Sequence, residues 1–479
     1  MMTTRLSSGI AGLDEVLEGG LVPQHTYLVR GGPGTGKTTL GLHFLYAGVS
    51  TGEKALFVTL GESETHLREH GEALGLDLRG VNFLDSSPGQ TFFTQVESYD
   101  IFSPAEVERA PITRRIVETV KQLRPVRVFI DSMTQFRYLA ADNFQYRKQV
   151  LAFLRFLCEE GATVLFTSEG STEAPDADLQ FLSDGIINLE MRKGLRMLAV
   201  SKMRRSEFIG GWHTYRIGIG GLQVFPRLLL PERQGGFVLE TISSGVPELD
   251  ELLHGGLERG TVTVVTGPTG SGKTTLGLLF MKEAAGRGER SVIYSFEENV
   301  DALLARSQAI NIPVKTMVKN GMLEVIAVEP MRYTPNEFAR LVRREVEERQ
   351  ARIIMLDSIA GYRMSMHGSD LVQELHVLCR YLKAMGVTTL LINEVERVTG
   401  DFQATELGIS YLADNIIFLR YLELHGELRK AIGVRKKRLS DFEKTMREYE
   451  ITRYGVKVGR PLTHLRGLLQ GVPVWENEP

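Results

Sequence analysis

The chain repeats itself once, at long range. A shift of 236 residues lays Gly31–Thr39 (GGPGTGKTT) on Gly267–Thr275 (GPTGSGKTT). The same shift lays Ser7-Ser8-Gly9 on Ser243-Ser244-Gly245, Leu13-Asp14-Glu15 on Leu249-Asp250-Glu251, and Gly19-Gly20-Leu21 on Gly255-Gly256-Leu257. It still joins Glu62 to Glu298, and about half the positions from Leu6 to Ala47 are identical under it. A solenoid needs several short repeats, so two copies this long mean two whole domains of one fold. Phe225–Gly236 carries two prolines and a glycine pair without hydrophobic period and reads as a linker. The expected domains are therefore 1–236 and 237–479.

Composition narrows the class. Hydrophobic residues make up 43% and charged residues 24% of the 479, ordinary values for a globular protein with a core in each half. The formal net charge of −3 argues against non-specific polyanion binding. The only cysteines, Cys158 and Cys379, have no CxxC neighbour, so core thiols are expected rather than a disulfide framework or a zinc site. The N-terminus lacks the apolar core of a signal peptide and no long apolar run follows, which makes the cytoplasm the expected location and excludes a membrane partner.

Short apolar, β-rich runs recur in both copies. They are Thr26–Arg30, Ala55–Thr59, Arg127–Ile130, Thr163–Thr167 and Gly185–Leu189, then Val262–Thr266, Ser291–Tyr294, Arg352–Leu356, Thr388–Ile392 and Asn415–Leu419. Near-continuous apolar strands separated by helices predict an α/β fold, a mostly parallel sheet between helices in each copy.

G-x-x-x-x-G-K-[ST] between a strand and a helix is a P-loop. Gly31, Gly34, Thr35, Gly36, Lys37, Thr38 and Thr39, with Gly267, Gly270, Ser271, Gly272, Lys273, Thr274 and Thr275, are the expected nucleotide-binding residues. Glycines let the backbone amides face phosphates, and the helix N-terminus adds partial positive charge. Lys37 and Lys273 reach the β- and γ-phosphates, and Thr38 and Thr274 are the expected Mg²⁺ ligands. Asp131 and Asp357, each ending an apolar strand and followed by Ser, are the expected Walker-B carboxylates; a lone Asp after a strand is more often a turn residue. Hydrolysis needs a carboxylate to direct water. Glu62 in the first copy and Glu297-Glu298 in the second stand at one offset, expected at the end of the strand beside the P-loop strand; the bland alternative is an acidic helix start.

Together these residues resemble the KaiC family of tandem RecA-like ATPases and autokinases, over nearly the whole chain. Arg420–Val434 (RYLELHGELRKAIGV) is similar to that family's run before its basic K-x-R motif. The resemblance implies two tandem RecA-like P-loop domains, ATP and Mg²⁺ as cofactors, and a homohexameric double ring with nucleotide at subunit interfaces. It implies that Lys202, Arg204, Lys436 and Arg438, in K-x-R motifs, reach a neighbour's nucleotide, where a cation stabilises charge developing on the γ-phosphate. It also implies autophosphorylation of the second domain at Ser410, with Glu297 as base toward the hydroxyl and Glu298 in support. Tyr411 stands where the family has a second acceptor, a threonine, and in the first copy Gly61 stands where the family has the first Glu, leaving Glu62 alone. After Ile451 the chain runs only to Pro479, so Arg460–Gly471 is expected as the family's internal loop, its recruiting tail as truncated, and a signalling or stress role over a circadian one. A small signalling protein fits as a further partner.

The alternative is a RecA- or DnaB-type nucleic-acid motor. The segments after the two Walker-B strands, Ser132–Asn143 and Ser358–His367, carry one arginine each, a weak basic surface for nucleic acid, which is therefore not an expected partner. No zinc-binding cysteines accompany the P-loops as in RadA-like proteins. A third reading, a scaffold whose ATP only holds a ring together, sits poorly with carboxylates kept in both copies.

Overall fold

The computed structural model describes residues 5–85, 104–138, 142–168, 176–231, 240–364, 371–395, 411–424, 426–467 and 474–475, side chains at 104–113, 138, 371 and 475 excepted. The chain forms two compact units, Met1–Arg227 and Leu228–Pro479. The strands of the first are β1 (Thr26–Gly31), β2 (Ala55–Thr59), β3 (Val81–Asp85), β4 (Arg127–Asp131), β5 (Thr163–Ser168), β6 (Gly185–Arg192), β7 (Leu195–Met203), β8 (His213–Gly218) and β9 (Gly221–Phe225). They make one sheet in the order β3-β2-β4-β5-β1-β6-β7-β8-β9. Pairing is parallel from β3 to β6 and antiparallel from β6 to β9.

The second unit opens with a small ladder of β10 (Thr241–Ile242) on β11 (Leu257–Glu258). Its main strands are β12 (Val262–Gly267), β13 (Ser291–Ser295), β14 (Leu323–Ala327), β15 (Ile353–Asp357), β16 (Thr388–Glu394), β17 (Asn415–Leu424), β18 (Glu427–Lys437), β19 (Arg447–Thr452) and β20 (Gly455–Pro461). The order β14-β13-β15-β16-β12-β17-β18-β19-β20 repeats the first sheet strand for strand. Among the described residues no helix is long and apolar enough to cross a membrane.

The apolar runs are continuous because both faces of each strand are covered. In the first unit Phe57, Phe129 and Leu165 pack on the side of the P-loop helix Lys37–Ser50, while Val58, Val128 and Phe166 pack against the helix Asn143–Glu159. Cys379 is buried and Cys158 half-buried, and burial pushes both thiols up to about 12. The opening Ser-Ser-Gly-x-x-x-Leu-Asp is a structural tie. Asp14 accepts from the Ser7 hydroxyl (2.5 Å) and the Ser8 amide (2.7 Å), and Asp250 does the same for Ser243 (2.5 Å) and Ser244 (2.8 Å).

One expectation is corrected. The strand leading to Glu62 does not lie beside the P-loop strand. β2 borders β4, the Walker-B strand, and β4 and β5 stand between it and β1. Strand order depends on which crossovers pack, and a chain of alternating strands and helices admits several orders.

Two histidines tie only the first unit together. His43 Nε2 accepts the Leu222 amide (2.8 Å), joining the P-loop helix to β9. His213 Nδ1 accepts the Arg227 amide (3.0 Å), and its Nε2 faces the Ile209 carbonyl (3.0 Å). Both rings must be neutral to accept, and burial holds both below the usual histidine value, against a backbone hydrogen bond to Gly9 and to Ile209 respectively. A histidine depressed in the fold binds more protons when unfolded, so stability is retained above the unfolded value near 6.5 and is lost as pH falls below it. Leu279 and Arg447 occupy the two positions in the second unit. Thermal melts from pH 8 to 5.5 are expected to show the first unit losing at most about 1.4 kcal/mol per pH unit for each ring, and His43→Leu should flatten that slope. An unchanged slope in His43→Leu would contradict this assignment.

Candidate active site

Each P-loop begins where its strand ends. Gly36 (φ 91°) and Gly272 (φ 104°) precede the helices Lys37–Ser50 and Lys273–Gly286 in left-handed conformation, which glycine adopts without penalty. Space is closed there as well: a Cβ on Gly36 would lie 2.4 Å from Ile217 Cδ1, and one on Gly272 2.5 Å from Ile451 Cδ1. The antiparallel strands thus brace the P-loops, Tyr215 donating to the Thr35 carbonyl (2.5 Å) and Tyr449 to that of Gly272 (3.4 Å).

The lysines are held at the loops. Lys37 Nζ donates to the Gly31 (2.8 Å) and Gly32 (3.0 Å) carbonyls, and Lys273 Nζ to that of Pro268 (2.9 Å). Burial lowers the Lys273 ammonium, opposed by the charges of Glu394, Asp357 and Glu297. The threonine after each lysine donates to the Walker-B carboxylate, Thr38 Oγ1 to Asp131 Oδ2 (2.6 Å) and Thr274 Oγ1 to Asp357 Oδ2 (2.7 Å). The Thr167 hydroxyl is a second donor to Asp131. Burial pushes the Asp357 carboxyl up, against the Thr274 hydrogen bond and the charge of Arg306, with Glu297 and Glu298 adding to the rise. A hydroxyl beside a carboxylate suits Mg²⁺, which takes few protein ligands and completes its shell with phosphate and water.

The carboxylates after β2 and β13 are placed by matching contacts. Thr59 Oγ1 donates to the Glu62 carbonyl and Ser295 Oγ to that of Glu298, both at 2.6 Å. Thr59 pairs with Asp131 and Ser295 with Asp357, so these turns lie at the Walker-B end of the sheet. Glu297 accepts from the Ser358 hydroxyl, the residue after Asp357. In the first unit Gly61 stands at that position, and the buried Ser132 hydroxyl has no partner among the described residues. The loss of the first carboxylate is visible here as an unpaired donor.

The basic motifs lie elsewhere. Lys202 pairs across β6 with Ile186, which pairs with Leu28, three residues and about 10 Å before β1 meets the P-loop. Lys202 Nζ donates to the Gln180 (2.8 Å) and Phe181 (3.2 Å) carbonyls, and Arg204 faces Asp184 (3.4 Å). In the second unit Arg438 Nη2 donates to the Tyr411 carbonyl (3.0 Å) and Nη1 faces Asp414 (3.6 Å). Burial lowers both Lys202 and Lys436, with Arg204 and Arg438 respectively adding to the effect. The structure therefore gathers P-loop, Walker-B Asp and Glu within a unit and keeps the basic motif toward the opposite end of the same sheet. Ser410 lies outside the described residues, as does Thr405.

Sequence reasoning noted Ser132 and Ser358 without giving them a role, and gave none to Asp184, Asp414 or Arg306. The repeat held a signal for the last: Arg306 falls on His70, eight residues after the paired Glu298 and Glu62.

A P-loop braced by an antiparallel edge, with Walker-B Asp and strand-end Glu on a parallel sheet, twice over, defines a tandem RecA-like ATPase. The family model described as "ATPase: KaiC" matches residues 6–228 and again 242–463, and the chain belongs to this family. The circadian clock oscillator protein KaiC of Prochlorococcus marinus is 29% identical over 490 residues, which cover 99% of this chain and 96% of that one. KaiC of Acaryochloris marina is 28% identical, with 98% and 91% covered, and KaiC of Thermostichus vulcanus 27%, with 98% and 92% covered.

Proposed function

We propose that both units bind and hydrolyse Mg·ATP and that the second also transfers phosphate to Ser410 of its own kind of chain. The observation that carries the reading is the pair of Thr–Asp contacts, Thr38–Asp131 and Thr274–Asp357. Each sets a hydroxyl and a carboxylate where a P-loop ATPase holds Mg²⁺ on the β- and γ-phosphates. Lys37 and Lys273 neutralise those phosphates. Glu62 and its counterpart Glu298 direct water. Glu297, held by Ser358, is the base toward a serine hydroxyl.

The basic motifs favour a ring. Lys202 and Arg204 cannot lie on their own P-loop from the opposite end of the sheet, but they can meet a neighbour's nucleotide when copies pack head to tail, a heterologous contact that closes into a ring. Six copies in a double layer is the arrangement that family membership suggests, with Lys436 and Arg438 acting likewise in the second layer. The relatives' name, circadian clock oscillator protein, makes a signalling role with a small partner protein the matching biological reading.

Two substitutions separate the activities. Glu62→Gln is expected to lower ATP hydrolysis about 10²-fold or more in the first unit and spare phosphorylation, and Glu297→Gln the reverse. The check is phosphate release together with mass spectrometry of the Ser410 peptide after incubation with Mg·ATP. Equal effects of both substitutions on both activities would sink the division of labour; a Ser410 peptide without phosphate would leave an ATPase alone.

A further inference from the structure

We propose that Arg306 is a positioning residue that restrains the water-directing carboxylate of the second unit, making ATP hydrolysis there slower per site than in the first. The inference rests on reading Glu298 and Glu62 as counterparts in the function above.

The two glutamates share their main-chain setting. Their carbonyls accept from Ser295 and Thr59 at the same 2.6 Å, and each next helix is capped alike, Asn299 accepting from the Ala302 amide and Ser63 from that of His66. The side chains part company. Arg306, in the last turn of the helix Val300–Ala309, places Nη2 2.8 Å from Glu298 Oε2. His70 holds this position in the first unit; its Nε2 faces Thr39 Oγ1 at 3.5 Å, and the Glu62 carboxylate takes no ion pair among the described residues.

The chemistry makes that difference matter. In hydrolysis the water oxygen bonds to the γ-phosphorus, the bond to the β,γ-bridging oxygen breaks, ADP leaves, and the water's proton passes to the carboxylate. A guanidinium is charged at every accessible pH, and its hydrogen bond to a carboxylate is charge-assisted. Glu298 must give up that bond to present its lone pair to water, whereas Glu62 has no such bond to give up among the described residues. As a purely structural pair Arg306 and Glu298 would do little: the arginine is 45% and the glutamate 30% exposed, where ion pairs add little stability.

The test uses the full-length protein carrying Glu62→Gln, so that the second unit's turnover is read. Arg306→Ala is expected to raise kcat about 10-fold with KM little changed, because a freed general base supplies of order 10²–10⁴-fold. Arg306→Lys, which keeps a cation, should hold kcat near the parent's, and adding Glu298→Gln should abolish the gain. Arg306→His, the first unit's own residue, should move kcat in the same direction and guards against a misfolded alanine variant. A kcat unchanged or lowered by both Arg306→Ala and Arg306→His, with parent-like melting, overturns the proposal while leaving the functional reading intact. A Glu62→Gln parent that binds Mg·ATP nowhere would instead overturn the functional reading, and this proposal with it.

Discussion

Lys273→Ala is expected to cut turnover by the second unit about 10²–10³-fold, the usual loss when one preorganised donor to a developing charge is removed. Lys37→Ala should do the same for the first unit. Each ammonium is held by carbonyls of its own loop, at 2.9 Å from Pro268 in one and 2.8 Å from Gly31 in the other. The printed acceptor of Lys273 is a main-chain carbonyl, while the charges of Glu394, Asp357 and Glu297 act on the ammonium from nearby, so the melt is read beside the kinetics. Lys273 is only 8% exposed and burial lowers its ammonium, so a phosphate bound at the loop would meet a cation stripped of much of its water. The readout is phosphate release in a Glu62→Gln background for Lys273→Ala, alongside a thermal melt. A near-parental kcat would show that the loop does not act on the transferred phosphate.

The second large effect concerns stability. Lys437 Nζ lies 2.9 Å from Glu258 Oε1, with the side chains 0% and 1% exposed. Ser440 Oγ closes the cluster, accepting from Lys437 and donating to Glu258, both at 2.6 Å. Burial pushes the Glu258 carboxyl up, but the hydrogen bonds from Ser440 and Lys437 outweigh it and hold the group below the usual carboxylate range. Removing one partner strands the other charge out of water. Lys437→Met alone should therefore destabilise the second unit by about 3–5 kcal/mol. The first unit shows the apolar solution: Met203 and Val22 fall at the two positions, and Val22 is 5% exposed. The double variant Lys437→Met, Glu258→Val should recover most of the loss, since replacing both partners by apolar groups is often neutral. Urea unfolding of the three proteins decides it, and a double variant no better than Lys437→Met would contradict the account.

Much of this protein was legible in the chain itself, for identifiable reasons. The ten apolar runs became strands with ends displaced by few residues, because a strand covered on both faces has almost no polar position to obscure it. The apolar runs end at Leu189 and Leu419, yet β6 continues to Arg192 and β17 to Leu424, into the antiparallel part of each sheet. Those strands, β7–β9 and β18–β20, have mixed burial and weak alternation, so no period marks them.

The sequence by itself determined that there are two copies of one nucleotide-binding fold. It also marked the glycine, lysine, threonine and aspartate in each that we propose meet phosphate and metal. Those residues act through local geometry, a turn between a strand and a helix, and local geometry is written in adjacent letters. Only the tertiary structure decided which strands are neighbours, and hence that Glu62 and Glu298 stand beside the Walker-B strand while the basic motif stands toward the far end of the sheet. Only there do Ser358 on Glu297 where Ser132 has no partner among the described residues, Lys437 on Glu258 where the first unit has Met203 and Val22, and Arg306 on Glu298 where the first unit has His70 and Glu62 become differences in chemistry between two otherwise matching units. Contacts such as these join residues from separate segments, and their partners are set by packing rather than by any spacing along the chain.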